Sequence, residues 1–235
     1  MKVSWFTRNE VPRKVLHGSI AILTTILYLN GVQSQQVTPW LIAAIIPICI
    51  LEFLRFASPT FNRMYIAVVG HLMRKEEKEE GRVNGVIWYL AGLIIVFSFF
   101  PKDVCLTSVF LLSWADLAAS TLGRAFGHHS FKLVGQKSFI GTLAAFLTGV
   151  ISTVVVYEIL LPLRPDMNPP NLILYNSHLS QVSVTRLSLV MGLTVAVAEL
   201  FPIIDDNFSI PIVCAIVQTL YINHYTLPYT YGVFR

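Results

Sequence analysis

The sequence predicts an all-α, polytopic integral membrane protein with about seven transmembrane helices and one amphipathic interfacial helix. Three observations carry that prediction. Hydrophobic residues make up 54% of the 235, and Asp, Glu, Lys and Arg only 13%, where a soluble globular domain has about 25% charged residues. A soluble domain of this size has too little interior to hide so much apolar surface. The apolar residues also gather into seven runs near the length of a membrane span, and the basic residues fall mostly on alternate connections between them.

The runs are 15–32, 37–57, 85–100, 103–123, 139–162, 183–202 and 208–224. A span needs about 20 residues, roughly 17–25, so the third and seventh are short. Six or eight spans remain compatible with the same pattern. The first run follows Lys2, Arg8, Arg13 and Lys14, a basic start that a signal peptide shares. No small-residue cleavage site closes it and more spans follow, so it is read as retained. With the N-terminus in the cytosol, the inside segments 1–14, 55–84, 124–138 and 203–207 hold 13 of the 17 Lys and Arg residues. Lys102, Arg164, Arg186 and Arg235 are the exceptions. This bias sets the orientation. It also places the glycosylation sequon Asn207-Phe-Ser209 on the cytosolic side, where it should stay unmodified.

The whole chain, 1–235, reads as one membrane-embedded domain. Its longest inside connection, 58–84, opens with Ser58-Pro59, a cap followed by a first-turn proline. Phe61, Met64, Tyr65, Val68 and Leu72 then recur at helical spacing, as in an in-plane amphipathic helix. The run from Lys75 to Glu80 reads as a solvated turn or linker. The outside loop 163–182, rich in proline, reads as a structured, non-catalytic connector. Cys49, Cys105 and Cys214 all sit in apolar runs and read as reduced packing residues. A net charge of +4 is small for a nucleic-acid binder, and no nucleic-acid partner is expected.

Ionisable groups inside spans cost about 2.5–3.5 kcal/mol each at the bilayer centre, so each is a functional candidate. The strongest is Asp116, in Trp114-Ala-Asp-Leu-Ala-Ala-Ser-Thr-Leu-Gly-Arg-Ala-Phe-Gly127 at the inner end of the fourth run. On a helix Asp116, Ser120, Gly123 and Gly127 form one stripe, with Arg124 at its end. The glycines fit a small-residue packing face equally well. The following loop brings Lys132, Lys137, Ser138 and Gly141 to the start of the fifth run, a helix N-terminus suited to an anion. Gly135-Gln-Lys-Ser138 is not a P-loop, because position 130 is Ser and no strand is expected before it. His128 and His129 are adjacent rather than at metal-ligand spacing and read as surface residues.

A third cluster joins Glu199 to Asp205, Asp206 and Asn207 across a short inside loop. Oxygen ligands of this kind suit a hard divalent cation; the alternative is a polar turn in which Asn207 caps the last helix. Arg13, Lys14 and His17 begin the first run on a shared face, where a positive-inside anchor is the alternative for Lys14. Glu52 with Arg55 reads as a local interfacial pair, and Glu158 as a snorkelling residue near the outer surface. All four main clusters map to one membrane face. Cations for phosphates, carboxylates for a metal or hydroxyl, and a helix N-terminus are what phosphoryl transfer to a lipid alcohol requires, although an anion transporter could use the same residue types.

Arg13-Lys14-x-x-His17, the Trp114–Gly127 block with Lys132 and Lys137, and Ala196-Val-Ala-Glu199 with Asp205-Asp-Asn207 together resemble the fungal CTP-dependent diacylglycerol kinases. That family belongs with dolichol and phytol kinases and is similar to phosphatidate cytidylyltransferases. The resemblance runs from about residue 10 to 220. It implies CTP-dependent conversion of diacylglycerol to phosphatidate at the cytosolic face of the endoplasmic reticulum and nuclear envelope, with Mg2+ or Ca2+. It carries functional status onto Arg13, Lys14, Asp116 and Gly123. On this reading Arg13, Lys14, His17, Asp116 and Glu199 are catalytic. Ser120, Gly123, Arg124, Gly127, Lys132, Lys137, Ser138 and Gly141 hold the nucleotide, and Asp116, Asp205, Asp206 and Asn207 hold metal. The competing readings are a polyprenol kinase, a cytidylyltransferase and a transporter; the paired discontinuous helices and repeat symmetry of many transporters are not visible. Oligomeric state is not readable from the sequence.

Overall fold

A computed structural model describes residues 11–175 and 180–226 of the chain. Lys2, Arg8 and Arg235, three of the residues that set the orientation, lie outside the described residues, as do positions 176–179 of the outer loop. Each of the seven apolar runs falls on a helix: α1 (Val11–Leu29), α2 (Ser34–Ala57), α5 (Gly85–Phe99), α6 (Lys102–His129), α7 (Phe139–Leu163), α8 (Val184–Leu200) and α9 (Asp206–His224). Between α2 and α5 come α3 (Pro59–Val69) and α4 (Lys75–Glu79). Three helices, α2, α6 and α7, are both long and apolar enough to cross a membrane; α5 is apolar but shorter.

Burial sorts the helices radially. In its most apolar stretch α6 is 72% buried and α2 only 6%, so α6 is the hub and α2 lies on the rim, turning Trp40, Ile46, Ile50 and Phe53 outward. Around α6 the bundle closes through glycines. A Cβ on Gly192 of α8 would stand 2.7 Å from the Phe146 carbonyl of α7, and one on Gly149 of α7 3.0 Å from the Gly192 Cα. These contacts let the two backbones touch, as in small-residue membrane packing. Gly92 of α5 likewise admits Pro211 and the Asn207 carbonyl of α9.

Local signals set the ends of the elements. The Ser58 hydroxyl accepts from the Phe61 N–H at the start of α3, and the Ser138 hydroxyl from the Gly141 N–H at the start of α7. Two stretches of wider π-turn interrupt the long helices, Leu111–Ala115 in α6 and Val155–Leu160 in α7. The first ends immediately before Asp116. Such turns shift the register of the side chains that follow and recur at functional sites.

Several expectations need correction. The fold is not wholly helical, because Lys132–Val134 and Lys137–Ser138 pair as a short antiparallel hairpin; its turn uses Gly135 at φ 54°, a conformation glycine adopts without strain. The Lys75–Glu80 run is solvated at Lys75, Glu76, Glu79 and Glu80, but it is not merely a turn or linker. It contains α4, whose Glu77 is buried and accepts from the Arg74 and Gly85 N–H groups. Burial pushes the Glu77 carboxyl above the usual glutamate range, and those two N–H groups hold it back. Asp205, not Asn207, caps α9, accepting from the Asn207 N–H. Asn207 is only 1% exposed, buried at the start of α9. Cys105 and Cys214 are buried, but Cys49 faces outward, and all three are free thiols.

The end of the bundle opposite Asp116 has its own polar knot. Asp103, fully buried, accepts from the Tyr157 hydroxyl and from the Leu174 and Tyr175 N–H groups, each at 2.9 Å. Gln218 donates to the same hydroxyl at 2.6 Å. This knot ties the proline-rich outer loop to α6, α7 and α9 and explains a charge at the start of α6 by structure alone.

Candidate active site

The π-turn delivers Asp116 to a cavity of about 740 Å3 at the end of the bundle where α1 begins and α8 ends. The size suits a nucleotide-scale ligand. Asp116 and Ser120, one turn apart on α6, form its floor with Arg124 beyond them. Arg13 of α1, Lys137 of the hairpin, Glu199 of α8 and Asp205 and Asp206 of α9 complete the polar lining. Residues from all four sequence clusters therefore meet in one place. The connection after α3 supplies a wall that no sequence motif announces, with Arg74, Glu77 and Arg82.

Asp116 is 8% exposed, yet among the described residues its carboxylate accepts no hydrogen bond. The His17 imidazole stands beside it among the described residues, with Nδ1 3.9 Å from Oδ2. A buried carboxylate without donors is costly, and here its oxygens open on the cavity. His17 lies behind it, 7% exposed, with its ring edge-on to Tyr89 at 5.0 Å. It lines a recess next to the cavity rather than the cavity itself, beside Asp116.

Lys137 is the central cation. Its Nζ lies 3.1 Å from both Glu199 Oε1 and Asp206 Oδ1 and also donates to the Glu199 carbonyl. Glu199 Oε2 is buried without a partner among the described residues. Arg74 Nη1 donates to Asp205 Oδ2 at 2.9 Å. Burial works against the Arg74 guanidinium, but the carboxylates of Asp205, Asp116 and Asp206 outweigh it and hold the group protonated more firmly than an ordinary arginine.

A second cavity of about 530 Å3 adjoins the first. Ser120, Arg124, Lys137 and Glu199 line both, while Gly123, Lys132, Ser138 and Gly141 line only the smaller one, with His128 and Thr142. The glycine stripe proves to be a packing seam as well. A Cβ on Gly123 would sit 3.4 Å from the Gly141 Cα, and one on Gly127 2.6 Å from the Ser138 hydroxyl. Gly127 thus packs against the α7 cap and lines neither cavity. Lys132 is turned to the hairpin, donating to the Gln136 carbonyl at 2.9 Å. Lys14 is half-buried on α1 and lines neither cavity.

The residues expected to hold metal sit unequally around the cavity: Asp116, Asp205 and Asp206 line it and Asn207 does not. Asp205 has both oxygens in use, Oδ1 by the Asn207 N–H and Oδ2 by Arg74. Asn207 is buried away from the main cavity and donates to the Gly85 carbonyl. Among the described residues no three His, Cys, Asp or Glu side chains form a metal-holding group. Asp116 and Asp206 remain as carboxylates that line the cavity within electrostatic reach of each other.

No protein-family model matches the chain, and no solved structure does. Three fungal proteins match it over most of its length. It is 45% identical over 218 residues to CTP-dependent diacylglycerol kinase 1 of Eremothecium gossypii, covering 90% of this chain and 68% of that protein. Identity to the Saccharomyces cerevisiae protein of the same name is 43%, over 90% of this chain and 74% of the relative. For the Schizosaccharomyces pombe protein it is 37%, over 90% and 93% respectively.

Proposed function

The chain belongs to the CTP-dependent diacylglycerol kinase family, and we propose on that premise that the cavity around Asp116 is where it transfers the γ-phosphoryl group of CTP to diacylglycerol. It is a lipid-alcohol phosphotransferase. The observation that supports this location is Asp116 itself, a buried carboxylate with no internal donor among the described residues, facing cations that arrive from four separate parts of the chain.

Arg13, Arg124 and Lys137 bind the triphosphate, since charge-assisted contacts to phosphate oxygens are the strong ones. Asp116 orients the lipid hydroxyl, whose oxygen takes the phosphoryl group as its proton leaves and CDP departs. Glu199 and Asp206 hold Lys137 in place from two sides. The shared wall of the two cavities gives donor and acceptor a common meeting point. A divalent cation fits the donor set: magnesium keeps several waters and needs only one or two protein carboxylates plus substrate phosphates, and Asp116 and Asp206 supply two. When bound, such an ion neutralises charge on the transferring group.

The measurement is made on purified protein given CTP or ATP with diacylglycerol or dolichol in every pairing. CTP with diacylglycerol is expected to yield phosphatidate and CDP, and chelation of divalent cation to abolish it. Equal turnover with ATP would overturn the donor assignment. Turnover of dolichol alone would overturn the acceptor, and pyrophosphate as product the reaction class.

The helices on the seven apolar runs are proposed as seven spans, with the cavity on the cytosolic side of the endoplasmic reticulum and nuclear envelope. A sequon engineered near Pro169, at the opposite end of the bundle, is expected to be glycosylated in cells, as a shift in electrophoretic mobility that glycosidase removes. A sugar on a sequon placed in the exposed Glu79–Gly81 segment would invert the orientation.

A further inference from the structure

Resting on the kinase reading above, we propose that Arg74 is a further phosphate-binding residue of the nucleotide site, held in position by Asp205. No sequence motif singles out Arg74. The structure puts it in the cavity wall with Arg13, Arg124 and Lys137.

The case rests on how its donors are used, and Arg55 provides the contrast. Arg55 spends Nε, Nη1 and Nη2 on four bonds: two to the Glu52 carboxylate, one to the Glu77 carbonyl and one to the Arg82 carbonyl. That is an arginine used for structure. Arg74 carries the same five N–H donors, but its guanidinium makes one hydrogen bond among the described residues, Nη1 to Asp205 Oδ2. The group still lines the cavity, so its remaining donors are available to a ligand there. A guanidinium offers a planar fork that matches phosphate oxygens.

The placement of Arg74 is fixed at both ends. Its backbone N–H donates to Glu77 Oε2 at 2.8 Å at the start of α4. The carboxylate it meets is the cap of α9, with Asp205 Oδ1 receiving the Asn207 N–H at 3.0 Å. The pair is largely shielded, with side-chain exposures of 23% and 17%, unlike an ordinary surface ion pair. Asp205 is accordingly a positioning residue for Arg74.

The test measures KM for CTP and for diacylglycerol in mixed micelles, with the ligand-free melting midpoint of each purified protein. Arg74→Gln is expected to raise KM for CTP about tenfold or more, as loss of a charge-assisted phosphate contact would, with KM for diacylglycerol and the midpoint unchanged. Arg74→Lys should fall between, since a lysine is a point charge without the fork. Asp205→Asn should raise KM for CTP less, and add little once Arg74 is already Gln. If Arg74→Gln fails to accumulate, Arg74→Lys carries the comparison. A wild-type KM for CTP in both variants overturns the inference, as does a parallel rise in both KM values with a lowered midpoint. Wild-type protein that does not turn over CTP brings down the kinase reading and this inference with it; active wild type matched by the variants brings down the inference alone.

Discussion

Asp116→Asn is expected to lower turnover by roughly 10²-fold or more, the scale of a lost catalytic group, while abundance and detergent stability stay at the wild-type level. Asparagine keeps the volume and most of the hydrogen-bonding shape and removes the charge. The carboxylate accepts no hydrogen bond among the described residues and has His17 as a partner only at 3.9 Å, so little structure hangs on its charge. Removing a buried charge that makes no hydrogen bond among the described residues should leave stability unchanged or improve it. If the charge acts on the hydroxyl or on a cation, the transition state loses an interaction that the fold never used. Arg13→Ala should behave similarly, whereas Glu158→Gln, at the far end of α7, should not affect turnover. Near-normal turnover in Asp116→Asn would remove Asp116 from the chemistry, and disappearance of the protein would make it structural.

The weight on Asp116 is legible in the amino-acid sequence alone, because an aspartate in an apolar helix has few cheap explanations. The seven helices are legible for the same reason: an apolar run near span length reports itself without reference to neighbours. Convergence of the four clusters follows from charge counting, which depends only on which connections share a side. What escapes the sequence is set by tertiary contacts. Asp103 is as buried as any group among the described residues, yet nothing in its spacing reveals that the Tyr157 hydroxyl and two backbone N–H groups await it. Arg74 and Glu77 sit among charges that resemble any solvated run; their burial depends on α4 folding back over the cavity. Residue type alone gives Asp205 to a metal and Asn207 to a metal or a cap. The geometry makes Asp205 the cap of α9, because which of two nearby polar residues caps a helix depends on the backbone at that residue.

The largest loss of stability is expected at Arg55, which the sequence presents as half of an ordinary interfacial pair. Arg55 and Glu52 are each 4% exposed, with Nη2 2.6 Å from Oε1 and Nε 2.9 Å from Oε2. The same guanidinium donates to the carbonyls of Glu77 and Arg82, and Glu52 Oε1 accepts from the Asn84 N–H. The pair therefore fastens the end of α2 to the connection that forms one wall of the cavity. Removing one partner of a buried pair costs about 3–5 kcal/mol, because the other charge is left uncompensated. Arg55→Leu is expected to lose that much, read as a lowered unfolding midpoint in detergent, and surviving protein should turn over poorly because the Arg74 segment is no longer held. The double variant Glu52→Gln/Arg55→Leu separates the causes. It removes the stranded carboxylate but still leaves two buried carbonyls without their donor, so it should recover only part of the loss, a missing partner costing about 1–3 kcal/mol per buried group. Full recovery would assign the whole effect to charge, and a wild-type midpoint in Arg55→Leu would show that the connection holds its place without this anchor.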